Sequence, residues 1–462
     1  MTTPGSDDIQ LDPPLARHSE FAPAVEDRSY IIFVGGALVM ALGGGFLLSV
    51  LLPLTLSGTL DWPGRSIFLL QAHGWAQLQG WAGLFVAGMA IRLIPRFAGR
   101  KPIPARINIG IFLLLFGGAA GRTLAQSLLS GSALETAVLV SSVPAALGTL
   151  GVAAILAVTL SLGRKKREPW RFLAWAGAIW WAAWAVLLVR AGFRAFDNQG
   201  IVPPQFDDAM AWAVMLGAIG NFIFGVQSRS VPVFFGRKTP SIARVAVPAV
   251  LLNAGAATVL LSRMAEGAIE QRLLGAGLAS AGIALLWLPP VAGSVRGRAT
   301  RLRPRARAAA RYVLAANISG VVAGLLLLWA GTASLVSGEF EAFGVRDAAR
   351  HAFGLGLITM LIVGMAQLIA PVFALERAEP RPPGMVDHIA WWGLLSAVVL
   401  RVIAGLLVEA DQVDLTSRMH LAALSGVLAW IGLAMFALSV IRAVRKEPAM
   451  RELLRAAVPP GR

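Results

Sequence analysis

The sequence predicts an all-α, polytopic membrane protein with twelve transmembrane helices arranged as three pseudo-repeated four-helix units. Three observations carry that prediction. Hydrophobic residues make up 56% of the 462 and charged residues only 14%, against about 25% charged in soluble domains; a water-soluble globule of this composition would expose far too much apolar surface. Twelve segments reach the length of about 20 mostly apolar residues that a helix needs to cross the hydrocarbon core. A glycine–glycine–proline pattern then recurs at intervals of four such segments.

The spans fall at roughly 30–56, 67–95, 106–128, 134–162, 170–193, 207–233, 241–263, 271–293, 311–337, 347–373, 386–410 and 417–443. Residues 1–29 precede them. They are acidic, proline-containing and without an apolar core, and read as a disordered cytoplasmic tail rather than a signal peptide or a span. Residues 446–462 form a basic cytoplasmic tail. No cysteine occurs, which excludes disulfide scaffolds, thiolate catalysis and Cys-based zinc or iron–sulfur sites.

The net charge of +16 would suggest nucleic acid in a soluble protein, but its placement gives a different meaning. The connections after spans 2, 4, 6, 8 and 10, with the C-terminal tail, hold 27 Lys and Arg, including Arg164-Lys165-Lys166-Arg167 and the run Arg296, Arg298, Arg301, Arg303, Arg305, Arg307, Arg311; the opposite connections hold 7. Short basic loops stay in the cytoplasm, so both termini are expected inside a bacterial inner membrane. The excess then serves topology and lipid headgroups, not nucleic acid.

Spans 2, 6 and 10 share one pattern, Gly80-Gly88-Pro95, Gly217-Gly225-Pro232 and Gly356-Gly364-Pro371, each followed by an aromatic at Phe97, Phe234 or Phe373. The copies lie 137 and 139 residues apart, which is four spans, so the units share one membrane orientation, unlike the inverted repeats of many transporters. The repeats run about 30–162, 170–293 and 311–443, with the glycine-faced even helices packed inward.

Five histidines occur. His18 lies in the tail and His388 at the cytoplasmic start of span 11, and both read as incidental. His73 and His351 lie one to two turns inside spans 2 and 10 in the outer half, at nearly equivalent repeat positions: seven residues before Gly80 and five before Gly356. His420 begins span 12 at the outer face. An ionisable residue within a span is costly and is a functional candidate by default. Two imidazoles at matched depth suit trans axial ligation of a haem iron; alternatively each is neutral and satisfied by a neighbour such as Gln77. Arg122, Arg190, Arg263 and Arg401 lie towards the outer ends of odd-numbered spans. They need anions, either Asp197, Asp207, Asp208, Glu266 and Glu339 or haem propionates, unless they snorkel to headgroups. Arg92 and Arg229 share one repeat position near the cytoplasm and read as snorkelling. Gln227 and Gln367 also follow a second glycine, and Asn221 and Gln79 read as interhelical glue. No phosphate loop, intramembrane carboxylate pair or nucleophile–base pair appears.

The segment His73-Gly-Trp-Ala-Gln-Leu-Gln-Gly80, with Gly88 and Pro95, resembles the second helix of the NnrS-type membrane proteins of the nitric oxide response, where a histidine-rich HAHE-like start precedes the same Gly…Gly…Pro spacing. The stretch from His351 through Gly356 to Gly364 is similar to that family's HALTVGAIG…GVMSR segment, and Gly121-Arg122 and Leu400-Arg401-Val402 to its arginine motifs. The resemblance covers most of residues 30–440. That family in turn looks related to subunit I of haem-copper oxidases, with twelve helices in three arcs and histidines on helices 2 and 10 binding a low-spin haem. It implies a b-type haem held by His73 and His351 with Arg122 and Arg401 near the propionates; by position alone, His420 is a further metal candidate and Arg263 and Arg190 are further propionate candidates. Copper, a gas ligand (nitric oxide) and a redox partner or respiratory complex are also implied. The departures are specific. Trp75 stands where the second histidine of the HAHE-like start would be. Spans 6 and 7 carry no histidine, with Met210 and Trp212 near the start of span 6. The three-histidine copper site of a true oxidase is therefore absent, and terminal oxidase chemistry is not expected from this chain. Two other classes stay open: a haem-free transporter with a small-solute path near Asn221 and Gln79, and an accessory subunit of a respiratory complex.

Overall fold

The computed structural model describes residues 28–62, 64–164, 167–294, 304–337, 343–373, 384–408 and 413–457. The predicted disordered tail, Lys165, Lys166, Arg296 to Arg303 and Glu339 lie outside them, apart from Arg28 and Ser29. Among the described residues there is no strand, and twelve helices are long and apolar enough to span a membrane: α1 Tyr30–Leu56, α2 Ser66–Phe97, α3 Ala105–Leu128, α4 Gly131–Leu162, α5 Pro169–Phe196, α6 Pro204–Phe234, α7 Ile242–Ser262, α8 Gly267–Ala292, α9 Arg307–Ser337, α10 Phe343–Gln367, α11 Met385–Leu406 and α12 Leu415–Arg442. The basic tail is not a separate extension: the helix of α12 continues to Ala457.

The even inner helices are where the repeat places them. The apolar windows of α2, α6 and α10 are 83%, 89% and 83% buried, while every other span lies between 33% and 61%. Around them runs a perimeter in which α3 packs on α4, α4 on α5, α7 on α8, α8 on α9, α11 on α12 and α12 back on α1. At the closure, the indole of Trp430 donates to the Leu42 carbonyl at 2.9 Å.

Glycine explains how three helices fit inside. The first helix of each unit crosses the second at both glycines in one register. Met40, Trp180 and Ser319 occupy the notches at Gly80, Gly217 and Gly356, and Phe33, Leu173 and Tyr312 those at Gly88, Gly225 and Gly364. These glycine faces are filled by side chains, so they do not line a solute path. An added Cβ would lie 2.5 Å from the Phe33 Cβ at Gly88 and 2.5 Å from the Tyr312 Cβ at Gly364, but 3.3 Å from Leu173 at Gly225. Overpacking of this kind costs about 1–3 kcal/mol. Gly88→Ala and Gly364→Ala should therefore lower the thermal midpoint in detergent clearly, Gly225→Ala less, and Gly35→Ala, where a Cβ meets nothing within 4 Å, not at all. Equal midpoints across the series would contradict this packing.

Each inner helix also contains one π-helical stretch: Ala76–Gly83, Ala213–Gly220 and Ala352–Thr359. The three start at the spacing of the glycine triplets. A π turn is rare and is often found at functional sites. Here it brings each stretch's last residue close to the carbonyl five positions earlier. A Cβ at Gly83 would lie 2.7 Å from the Leu78 oxygen and one at Gly220 2.9 Å from the Met215 oxygen. In the third unit the Thr359 hydroxyl instead donates to the Gly354 oxygen at 3.1 Å. A fourth stretch, Ala41–Gly45, lies on α1.

Candidate functional site

The π stretches set the register of the polar residues at the end of the bundle where α2, α6 and α10 begin. They follow directly after Trp75, Trp212 and His351. His351 is therefore the repeat counterpart of the two tryptophans, and His73 sits two residues before its unit's counterpart. The near-equivalence expected of the two histidines is thus offset by two residues. Both still lie within the first three turns of their helices, about 11 and 12 Å from the first residue at 1.5 Å per residue.

The two imidazoles are held alike at one nitrogen. His73 Nδ1 is 2.8 Å from the Gly45 carbonyl at the end of the α1 π stretch, and Gly45 itself is tight against Gln77, whose Cδ would lie 2.8 Å from an added Cβ. His351 Nδ1 is 2.8 Å from its own helix's Asp347 carbonyl and 3.3 Å from the Asp347 Oδ1. Asp347 Oδ2 in turn pairs with Arg401 Nη2 of α11 at 3.0 Å. With Nδ1 of each ring donating, the tautomer leaves Nε2 as the bare nitrogen. Neither Nε2 makes a hydrogen bond among the described residues. His351, Arg401 and Asp347 all lie within electrostatic range of His73, so the two rings share one neighbourhood. Beside His73 the face of Gly74 is open: a Cβ there meets nothing within 4 Å.

A second group adjoins the first. The Arg122 guanidinium, on α3, lies over the Trp75 ring at 3.7 Å and donates from Nε to Gln126 at 3.2 Å. Gln126 donates to Gln71 at 2.9 Å, and Gln71 donates to the Val202 carbonyl at 2.6 Å. Arg122 Nη2 reaches Asp207 only at 3.9 Å, and both Nη atoms are buried without a hydrogen-bond partner. One residue on, Asp208 binds Arg350 and Arg346, the latter at 3.3 Å, while Arg350 lies over the Trp212 ring at 5.3 Å. The two tryptophans at the shared repeat position thus each carry an arginine.

Of the residues singled out in the sequence, the structure brings together His73, His351 and Arg401, with Arg122 next to them. It does not bring the other three. His420 is exposed and its Nε2 is 2.7 Å from the Thr59 hydroxyl, beyond the end of α1. Gly45, which holds His73, is eleven residues from Leu56, or about 16 Å along that helix. Arg263 pairs with Glu270 of the neighbouring α8. Arg190 is exposed, over Phe206 at 5.4 Å. Asp207 and Asp208, read as loop anions, lie in the first turns of α6, which begins at Pro204. Asp347 was not singled out at all. At the basic end, Arg92 and Arg229 do not snorkel freely. Arg92 lies over Tyr30 at 5.1 Å, and Arg229 over Phe97 at 4.8 Å while pairing with Glu168. Asn221 is fully buried and exchanges amide hydrogen bonds with Asn253 at 2.8 and 3.0 Å, which is glue rather than a channel lining.

Among the described residues, no three or more His, Cys, Asp or Glu side chains form a group able to hold a metal ion. Compared with known proteins, the chain matches no family model and no curated relative.

Proposed function

We propose that this membrane protein holds a haem between His73 and His351 and works as an NnrS-like protein of the nitric oxide response, by electron transfer or gas binding rather than terminal oxidase chemistry. The observation that carries the reading is the matched state of the two imidazoles. Metal-ligating histidines characteristically donate their second ring N–H to a carbonyl or carboxylate, which fixes tautomer and orientation. Both rings do so and keep Nε2 unengaged. Two imidazoles are a sparse ligand set for a bare ion. They suit an ion that brings its other four donors with it, as a porphyrin iron does.

This sequence has no cysteine and so no thiol for c-type attachment; the haem proposed is non-covalently held, b-type by the resemblance. Arg122, with two terminal nitrogens that make no hydrogen bond, is the arginine left for a propionate; Arg401 is turned to Asp347. Bound haem would supply one-electron redox chemistry and, where a histidine yields its place, a position for a small gas such as nitric oxide. The protein's own part is to fix two imidazoles at Nδ1, within electrostatic range of each other, inside the bundle. The excess of Lys and Arg on one set of connections supports cytoplasmic termini in a bacterial inner membrane, with electrons exchanged with a redox partner. Against a transport path stand the filled glycine notches and the buried Asn221–Asn253 pair.

The test is the absorption spectrum of the full-length protein purified after expression with ample haem. A Soret band at about one haem per chain is expected. A colourless protein that elutes as a single folded species overturns the proposal.

A further inference from the structure

We infer that Asp347 is a positioning residue that raises the basicity of His351 as an iron ligand, and that Arg401 sets how much of its charge the imidazole feels. This rests on the haem reading above. The two histidines are anchored to unlike partners. His73 donates to a neutral main-chain carbonyl. The Nδ1–H of His351 donates to the Asp347 carbonyl at 2.8 Å, and the carboxylate Oδ1 of the same residue lies 3.3 Å from that nitrogen. A carboxylate behind a ligating imidazole strengthens the ligand and orients it.

The spacing of Asp347 and His351, one helical turn apart on α10, places both on one face, so the helix itself fixes the pair. Arg401 arrives from α11 and holds the other carboxylate oxygen at 3.0 Å. The three side chains are 18–21% exposed, enough shielding for charge to act across a short distance with little screening. The two histidines would thereby be unequal as ligands: one imidazole is backed by a dipole, the other by a charge that an arginine moderates.

This arrangement makes opposite predictions for its two members. Asp347→Asn removes negative charge from behind the ligand and should favour the ferrous state. At a fixed potential the ferrous-to-ferric ratio is expected to rise about tenfold, an upward shift of about 59 mV for one electron. Arg401→Gln leaves the carboxylate unmoderated and should shift the midpoint downwards. If Asp347 and Arg401 serve only to clamp α10 to α11, both variants lose stability and neither moves the potential.

The experiment is a redox titration of the full-length haem-loaded protein and both variants, followed at the Soret band. Shifts of opposite sign support the inference. Equal potentials, or shifts of the same sign, in variants that retain haem overturn it while leaving the haem reading intact. If Asp347→Asn does not fold, the downward shift of Arg401→Gln alone decides the matter, since that variant keeps the carboxylate. A wild-type protein without haem removes both proposals together.

Discussion

Alanine at either His73 or His351 should abolish the Soret band while the protein still elutes from detergent as a folded species. The effect is expected to be large because each ring supplies one of two protein donors. Loss of a mere outer-shell partner of a metal ligand costs about 10–100-fold in affinity, and loss of the ligand itself should exceed the upper end of that range. The fold has little reason to fail with it. Each ring makes one hydrogen bond to a main-chain oxygen, so the fold loses a single hydrogen bond with either ring, worth about 0.5–1.5 kcal/mol net. Three controls follow from where the structure puts the other candidates. His420→Ala, Arg263→Gln and Arg190→Gln should leave the band at full height, because these residues belong to Thr59, Glu270 and Phe206 respectively. A band that survives either single histidine change, or vanishes equally in His420→Ala, would refute the two-histidine site. Recovery of the band on adding free imidazole to a His351→Gly protein would place the iron ligand at that position.

The sequence-level reading of the membrane architecture succeeded for a physical reason. Lipid leaves a spanning helix no choice about length or hydrophobicity, and the repeat is written in glycine because close helix approach admits nothing larger. The notches at Gly88 and Gly364 show that constraint directly. The partners of the arginines were much less legible. An arginine side chain is long enough to reach several neighbours, and its choice depends on helix rotation, which hydrophobicity does not encode. Hence Arg401 could be placed at the right end of α11 without Asp347 being seen as its partner.

Asp347 itself was hidden by its company. In Arg346-Asp347-Ala348-Ala349-Arg350-His351 the charges push the apparent start of the span to residue 347, whereas the helix begins at Phe343, and the carboxylate lies a full turn inside. The i, i+4 spacing of Asp347 and His351 was the signal that could have found it. The π stretches had a trace as well. Gly83, Gly220 and Thr359 stand at one repeat position, three residues beyond the first glycine of each triplet, but only the crowded carbonyl explains why the first two lack a side chain.

Removing the carboxylate of Asp208 should destabilise the bundle by about 3 kcal/mol. Among the described residues Asp208 binds both Arg346 and Arg350, and it ties α6 of the second unit to α10 of the third. Taking one partner from a buried ion pair costs about 3–5 kcal/mol, mainly because an uncompensated charge is left behind. The lower end applies here. Arg350 is 28% exposed and Asp208 18% exposed, so part of the charge left on Arg350 can be solvated. Exposed pairs are worth about 0–1 kcal/mol; the burial of Arg346 is what sets this site apart. The Asp208→Ala protein should therefore unfold well below the wild type in a thermal scan in detergent. If stranded charge is the cause, neutralising the arginines as well should restore much of the loss, because a buried charged cluster exchanged whole for apolar residues is often neutral. The Asp208→Ala, Arg346→Met, Arg350→Met protein should then melt above Asp208→Ala alone. Should the triple variant melt lower still, the aspartate and the arginines act independently, and the link between the second and third units is carried by apolar packing rather than by charge.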